Sequence, residues 1–281
     1  MASPLVREML DAGIHFGNPP SQWNPKMKPY IFGRKNAIHI IDIRETLRGL
    51  LRACKFITQT VAGGQDVLFV GTKRQAREIV QEHAQACEMH YTTERWLGGT
   101  LTNFRTIRSR LRRLEELEAL VSSPEWETGY SKKMKSTLAR ELKKIRRNLN
   151  GIRNMTRLPG ALIVIDVRKE RNAVREAQQL GIPTICLIDT DGDPDLVSIA
   201  IPGNDDGMRA ISLVISKLAQ AVEEGKRSRP AAPAPSERRE GEPRRGREPE
   251  APDSRPPGAQ QAVGVGAGAD AMGAGESTPA D

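Results

Sequence analysis

Cysteine is scarce in this chain: Cys54, Cys87 and Cys186 are scattered and odd in number among 281 residues. They offer no disulfide framework and read as reduced thiols of a reducing compartment. Histidine is scarcer relative to its uses. His15, His39, His83 and His90 show no HExxH or other ligand spacing, and Cys87 with His90 is an isolated pair, so no metal site can be assembled from them. Aromatic residues make up 4% and hydrophobic residues 38%. Length alone would allow about two domains, but this apolar content predicts one core with something less packed attached. No apolar run approaches the roughly 20 residues that span a bilayer. The start, Met1-Ala2-Ser3-Pro4, has neither a signal-peptide apolar region nor an Arg/Ser-rich transit sequence, which predicts a cytoplasmic protein without a membrane partner. The phosphate loop GxxxxGK[ST], the dinucleotide loop GxGxxG and the nucleophile elbow GxSxG are all missing. Positive charge is not missing: 43 Lys and Arg stand against 35 Asp and Glu, a net of +8 that favours a polyanionic partner.

That charge is concentrated in one stretch. Residues 105–150 carry thirteen Lys and Arg against six Glu, a net of +7. Phe104, Ile107, Leu111, Leu114, Leu117 and Val121 recur at steps of three and four, the signature of one apolar helix stripe. Met134, Leu138, Leu142, Ile145, Leu149 and Ile152 repeat it, with Ser122-Ser123-Pro124 and Gly129 between as breakers. The spacing predicts an inserted antiparallel helical hairpin, seamed like a two-stranded coil, over about residues 104–150. A charged helix face is commonly just solvated surface. Two paired arms coated with cations suit a phosphate backbone better than a small substrate.

Around that hairpin the pattern is α/β. A short helix over Leu5–Ala12, a strand over Ile38–Ile43 and a helix over Arg44–Val61 come first. A buried strand Val67–Val70 then runs through Gly71-Thr72-Lys73 into a helix from Arg74 to about Cys87. After the hairpin, strand 161–166, helix 170–180 and strand 184–189 follow, and a last helix begins near Asn204–Gly207. Continuous apolar strands alternating with helices predict a doubly wound, mostly parallel sheet. From Lys226 the chain turns to Pro, Ala, Gly, Arg and Glu, with no aromatic residue and nine basic against nine acidic residues. Such a composition cannot bury enough to fold alone and predicts a disordered tail over 226–281, beside a core domain over 1–225.

Two other groups carry chemistry. Pro19–Pro29 is too rich in proline for regular structure, yet Trp23, Lys26, Lys28, Tyr30, Phe32, Arg34 and Lys35 interleave rings with cations. That suits base stacking with phosphate gripping, or rings that pin an irregular loop to the core. Asp189, Asp191, Asp193 and Asp195, with Asp205 and Asp206 beyond, suit ordinary turn chemistry. An EF-hand does not fit, since Gly192 falls too early and Ala200 stands where a bidentate Glu belongs. With Lys73 and Asp166 they also keep open a nucleotide- or metal-dependent enzyme, because such folds place their sites at strand carboxyl ends. A free-standing RNA-binding regulator is supported by charge alone.

In order along the chain stand Ile14-His15-Phe16-Gly17, Trp23-Asn24-Pro25-Lys26-Met27, Tyr30-Ile31-Phe32-Gly33, Ile38-His39-Ile40-Ile41-Asp42 and Val70-Gly71-Thr72-Lys73. Arg95-Trp96-Leu97-Gly98-Gly99 through Leu101-Thr102-Asn103-Phe104, then Asp189-Thr190 with Asp193-Pro194-Asp195, and Ile201-Pro202-Gly203-Asn204-Asp205-Asp206 complete the set. Together these eight motifs, over roughly Leu5–Gly225, resemble the family of the second protein of the bacterial small ribosomal subunit. The resemblance implies an α/β core like flavodoxin, a hairpin lying against small-subunit ribosomal RNA, and a role in translation without catalysis. It also implies contact with other small-subunit proteins, including the large messenger-binding protein that this family docks. The residues themselves predict no cofactor and no assembled metal site, with a metal ion at the Asp189–Asp195 turn left open. Two positions depart from the pattern: Asn18 where the family usually has His, and Asp191 where it commonly has Asn. RNA contacts are expected from the hairpin at Arg105, Arg108, Arg110, Arg112, Lys132, Lys133, Lys135, Lys143 and Arg147. From the core they are expected at Lys26, Lys28, Arg34, Lys73, Arg74, Arg95 and Asn103, with Trp23 and Trp96 as stacking rings.

Overall fold

Short apolar runs with both faces covered build the centre of the chain, and a computed structural model describes it over residues 4–229. The tail expected over 226–281 falls, from residue 230 onward, outside the described residues. Helix α1 (Pro4–Asp11) comes first, and Gly13 turns the chain away from it at a φ of 73°. The irregular path expected over Pro19–Pro29 persists only as far as Asn24. There the Asn24 side chain accepts from the Lys26 amide, and a 3-10 turn spans Pro25–Tyr30. Pro25 has no N–H to leave unsatisfied at a helix start, so proline there begins a turn rather than preventing one.

Strands β1 (Ile31–Lys35) and β2 (Ile38–Ile41) then pair antiparallel as a hairpin of their own. Its two-residue turn, Asn36-Ala37, has φ of 49° and 60°. Turns with both central residues left-handed match strand twist and are normally announced by Asn-Gly. With alanine second the signal is hidden, so β1 went unanticipated. β2 also ends two residues early, because Asp42 caps helix α2 (Ile43–Ala62) by accepting from the Arg44 amide.

The remaining elements are β3 (Val67–Val70), α3 (Arg77–Ala86), β4 (His90–Thr92), α4 (Phe104–Ser122), α5 (Glu125–Thr128), α6 (Lys132–Leu149), β5 (Ala161–Ile165), α7 (Arg171–Gln179), β6 (Thr184–Ile188), β7 (Ile199–Pro202) and α8 (Met208–Arg227). The main sheet runs β4-β3-β5-β6-β7, and every neighbouring pair is parallel. This is the doubly wound order in which the chain reverses direction beside its first strand. The edges β4 and β7 were not expected. They have three and four residues, too few to show a period, and β7 ends in Pro202, which an edge tolerates. α3 begins three residues later than expected, since residues 74–76 belong to the turn leaving β3.

Strand alternation sorts the core into two layers. Val67, Phe69, Ala161, Ile163, Ile165, Ile185 and Leu187 pack with α2, α3 and α8. Leu68, Val70, Leu162, Val164, Cys186 and Ile188 face the other way, onto α7 and the base of the hairpin. Ile107, Leu111, Leu149 and Ile152 thereby belong to the sheet's second layer, and the hairpin is rooted in the core. Farther out, Leu114 and Leu117 are fully buried, whereas Val121 and Met134 are exposed. Those two lie in the last turn of α4 and the first turn of α6, where a stripe has neighbours on one side only.

Candidate nucleic-acid interface

The two arms of the hairpin present their cations outward by helix geometry. Arg105, Arg108 and Arg112 are spaced three and four apart on α4, and Lys132, Ser136, Arg140, Lys143 and Arg147 continue the same spacing on α6. Among the described residues, Arg105, Arg110, Arg112, Lys132, Lys133 and Lys143 meet no carboxylate, and all six are exposed. Three of the hairpin's glutamates are committed to other arginines. Glu116 and Glu141 take Arg113, at 3.1 and 3.7 Å, and Glu118 takes Arg153 at 2.9 Å.

Three expected cations are partly committed. Lys135 faces Glu127 at 3.6 Å and donates to its carbonyl at 2.9 Å. Arg147 is held by Glu94 at 2.5 Å, and Glu94 also faces Arg77 at 3.5 Å. Arg108 donates to the carbonyl of Thr156 at 2.9 Å, across the exit of the hairpin.

On the core, Lys28, Arg34, Arg74 and Arg95 are exposed and meet no carboxylate among the described residues. Lys26 bridges Asp193 and Asp195 at 2.8 and 2.9 Å, and those hydrogen bonds raise its ammonium to about 12. Asn103 is exposed at the start of α4 and accepts from the Thr106 hydroxyl at 2.7 Å. Trp23 is half-buried with its ring 5.1 Å from that of His39, so one face remains open toward Arg168 and Asp191.

Trp96 is not on this surface. It is 7% exposed, and its indole N–H donates to Glu176 at 3.0 Å. Glu176 also accepts from the amides of Gly99 (2.8 Å), Leu101 (2.9 Å) and Thr102 (3.2 Å). Burial pushes this carboxyl up, but the ring and amide donors outweigh it and hold the group below the usual range. Glu170, two turns earlier, is 2% exposed and accepts from the amide and hydroxyl of Thr72. Sequence reasoning missed both glutamates. The available signal was position: Glu170 stands in line with the inward residues Ala173, Val174 and Ala177, where a solvated carboxylate does not belong.

Lys73 is also withdrawn from the surface. Its side chain is 14% exposed and meets Asp205 at 2.6 Å, Asp206 at 2.7 Å and Asp166 at 3.6 Å. Burial lowers and the two hydrogen-bonded carboxylates raise the ammonium, with the raising effect dominant. Burial pushes Asp205 up to about 7 despite its lysine, and pushes Asp189 up to about 6. The carboxylates of Asp189, Asp205 and Asp206 come within 4.8 Å of one another, the one arrangement among the described residues that could hold a divalent ion. Two of the three, Asp205 and Asp206, already hold the Lys73 ammonium.

The sequence motifs thus lie on one framework. Residues 9–225 match the family described as ribosomal protein S2. The chain belongs to that family. It is 59% identical to "Small ribosomal subunit protein uS2" of Rhodopirellula baltica over 84% of this chain and 90% of the relative. It is 52% identical to the protein of the same name from Syntrophobacter fumaroxidans, over 81% and 82%. Against "Small ribosomal subunit protein uS2c" of Porphyra purpurea it is 49% identical, over 80% and 93%. The two positions expected to depart from the family pattern both make local contacts. Asn18 uses its backbone, donating to the Thr190 hydroxyl at 2.9 Å. The carboxylate of Asp191 pairs with Arg168 at 2.7 Å, which offsets its charge locally.

Proposed function

We propose that this S2-family chain is a structural component of the small ribosomal subunit, gripping small-subunit ribosomal RNA through the outward cations of the hairpin. The observation that carries this reading is the set of exposed hairpin cations with no carboxylate partner among the described residues, on a rod rooted in the core: the six named above together with Arg140, Lys144 and Arg146. Surface lysines and arginines left without an internal partner are available to an external polyanion, and their excess over nearby carboxylates favours a phosphate backbone. Lys28, Arg34, Arg74 and Arg95 extend the contact onto the core, with Trp23 as a stacking ring. Trp96 and Lys73 drop out of the contact set and serve the framework. The same reading extends to docking against neighbouring small-subunit proteins, including the large messenger-binding protein, and to a cytoplasmic location; the relatives' names support it only as far as membership of a small ribosomal subunit.

A non-catalytic role is supported by the way the strand-end crevice is filled. The Thr72 amide and the Lys73 ammonium, which would face a phosphate there, are both taken by internal carboxylates. The test is sedimentation of a lysate through a sucrose gradient at moderately high salt, following this chain. Recovery in the small-subunit peak is expected, and recovery only at the top of the gradient would refute the reading. Nucleotide with magnesium should leave the melting temperature unchanged, since only a ligand of the native state raises it.

A further inference from the structure

The entrance loop of the hairpin is folded around one carboxylate. Glu176 is 8% exposed, and five donors from residues 96–102 converge on it: the Trp96 indole, the amides of Gly99, Leu101 and Thr102, and the Thr102 hydroxyl. No lysine or arginine pairs with it among the described residues, so backbone dipoles balance its charge, as in an anion-binding nest. Gly99 makes the nest possible. Its φ is 87°, and a side chain there would meet the Asn103 Cβ at 3.2 Å. One residue beyond Thr102, the chain enters the cap of α4.

We infer that Glu176 fixes the direction in which the basic hairpin leaves the core, and that it is therefore a positioning residue for RNA recognition. The second half rests on the proposed ribosomal RNA role. The exit of the hairpin is held separately. A Cβ on Gly151 would lie 2.1 Å from the Tyr91 carbonyl, so that approach is a close backbone contact, and Arg147 is tied to Glu94. The entrance is held by the Glu176 nest. A rod fixed at both ends keeps its cations where phosphates meet them, and little ordering is left to be done on binding. Glu176 contributes no phosphate contact of its own, being buried and anionic.

Glu176→Gln tests this, because an amide replaces one acceptor oxygen with a donor and leaves facing N–H groups unsatisfied. Trp96→Phe is the milder variant, removing one donor and keeping the ring. Two readouts are taken on the full chain: amide hydrogen exchange by segment, and affinity for a small-subunit ribosomal RNA fragment across a salt series. In Glu176→Gln, exchange at residues 97–103 should rise by about tenfold or more while β5 and β6 stay protected. RNA affinity should fall by about tenfold at every salt concentration with an unchanged log-log slope, because the bound contacts are the same and only their ordering costs more. Trp96→Phe should fall between this variant and the parent on both readouts. Unchanged exchange at 97–103, or acceleration spread evenly through β5 and β6, would overturn the anchor. A loosened loop with unchanged affinity would overturn the role in RNA recognition. If the parent chain binds no ribosomal RNA, the proposed function fails with that half, and the exchange data still decide the anchor.

Discussion

Neutralising four unpaired hairpin cations, in the variant Arg105→Gln, Arg112→Gln, Lys132→Gln and Lys143→Gln, separates RNA grip from fold. None of the four meets a carboxylate among the described residues and all are exposed. The substitutions therefore break no ion pair and should change stability by no more than about 0.5 kcal/mol each. Their effect on RNA binding should be large. Each phosphate contact contributes about 0.7 to 0.9 to the slope of log affinity against log salt, so four lost contacts flatten it by about 3. Between 50 and 200 mM monovalent salt, about a fourfold change, the parent should lose roughly 60-fold more affinity than the variant. The assay is a salt titration of filter binding or fluorescence anisotropy with a small-subunit ribosomal RNA fragment, beside a thermal melt. Neutralising Lys26 and Lys135, already held by Asp193, Asp195 and Glu127, should flatten the slope less per residue. An unchanged slope in the four-cation variant, with the melt intact, would refute the assignment of the hairpin as the phosphate-binding face.

Lys73→Met should destabilise the chain by about 3 to 5 kcal/mol, seen as a lower denaturant midpoint, because it strands Asp205 and Asp166 without their cation. Asp189 gives a pH signature: its folded value of about 6 lies above the ordinary 3.8, so the folded state holds that proton more tightly. Its stabilising contribution is fully present below about pH 4 and is lost as pH rises through about 6, some 3 kcal/mol in all. Asp189→Asn should remove that slope from unfolding free energies measured over this range, while keeping the Oδ1 that accepts from the Thr190 amide. Truncation after Arg229 should leave the melting temperature within about 2 °C, since a polar Pro- and Gly-rich segment buries little. A large drop would show that residues beyond 229 take part in the fold.

What could be read in the sequence was whatever repeats. The apolar runs at 67–70, 161–165 and 184–188 announced buried parallel strands, and the three-four spacing of the hairpin announced both arms within a residue or two. What escaped was short or singular. β4 and β7 have too few residues for a period, and the β1–β2 turn uses Ala37 where glycine would have signalled it. For the site, charge density located the cations but could not say which were free. That depends on partners distant in sequence, such as Asp205, 132 residues beyond Lys73, or Glu176, 80 beyond Trp96. Trp96 beside Arg95 read as a surface ring because composition carries no information on which face a residue takes.

The Lys73 cluster has a consequence for how the chain behaves in a cell full of phosphates. At the strand-end crevice, where this fold elsewhere holds soluble ligands, the positive and negative groups come from the same polypeptide. A tethered ammonium is present at a fixed effective concentration, whatever the metabolic state. A soluble ligand could act there only in proportion to its abundance and only after displacing that ammonium. The crevice therefore carries its own counter-charge, and its electrostatic balance is set by residues of this chain rather than by a dissolved ion.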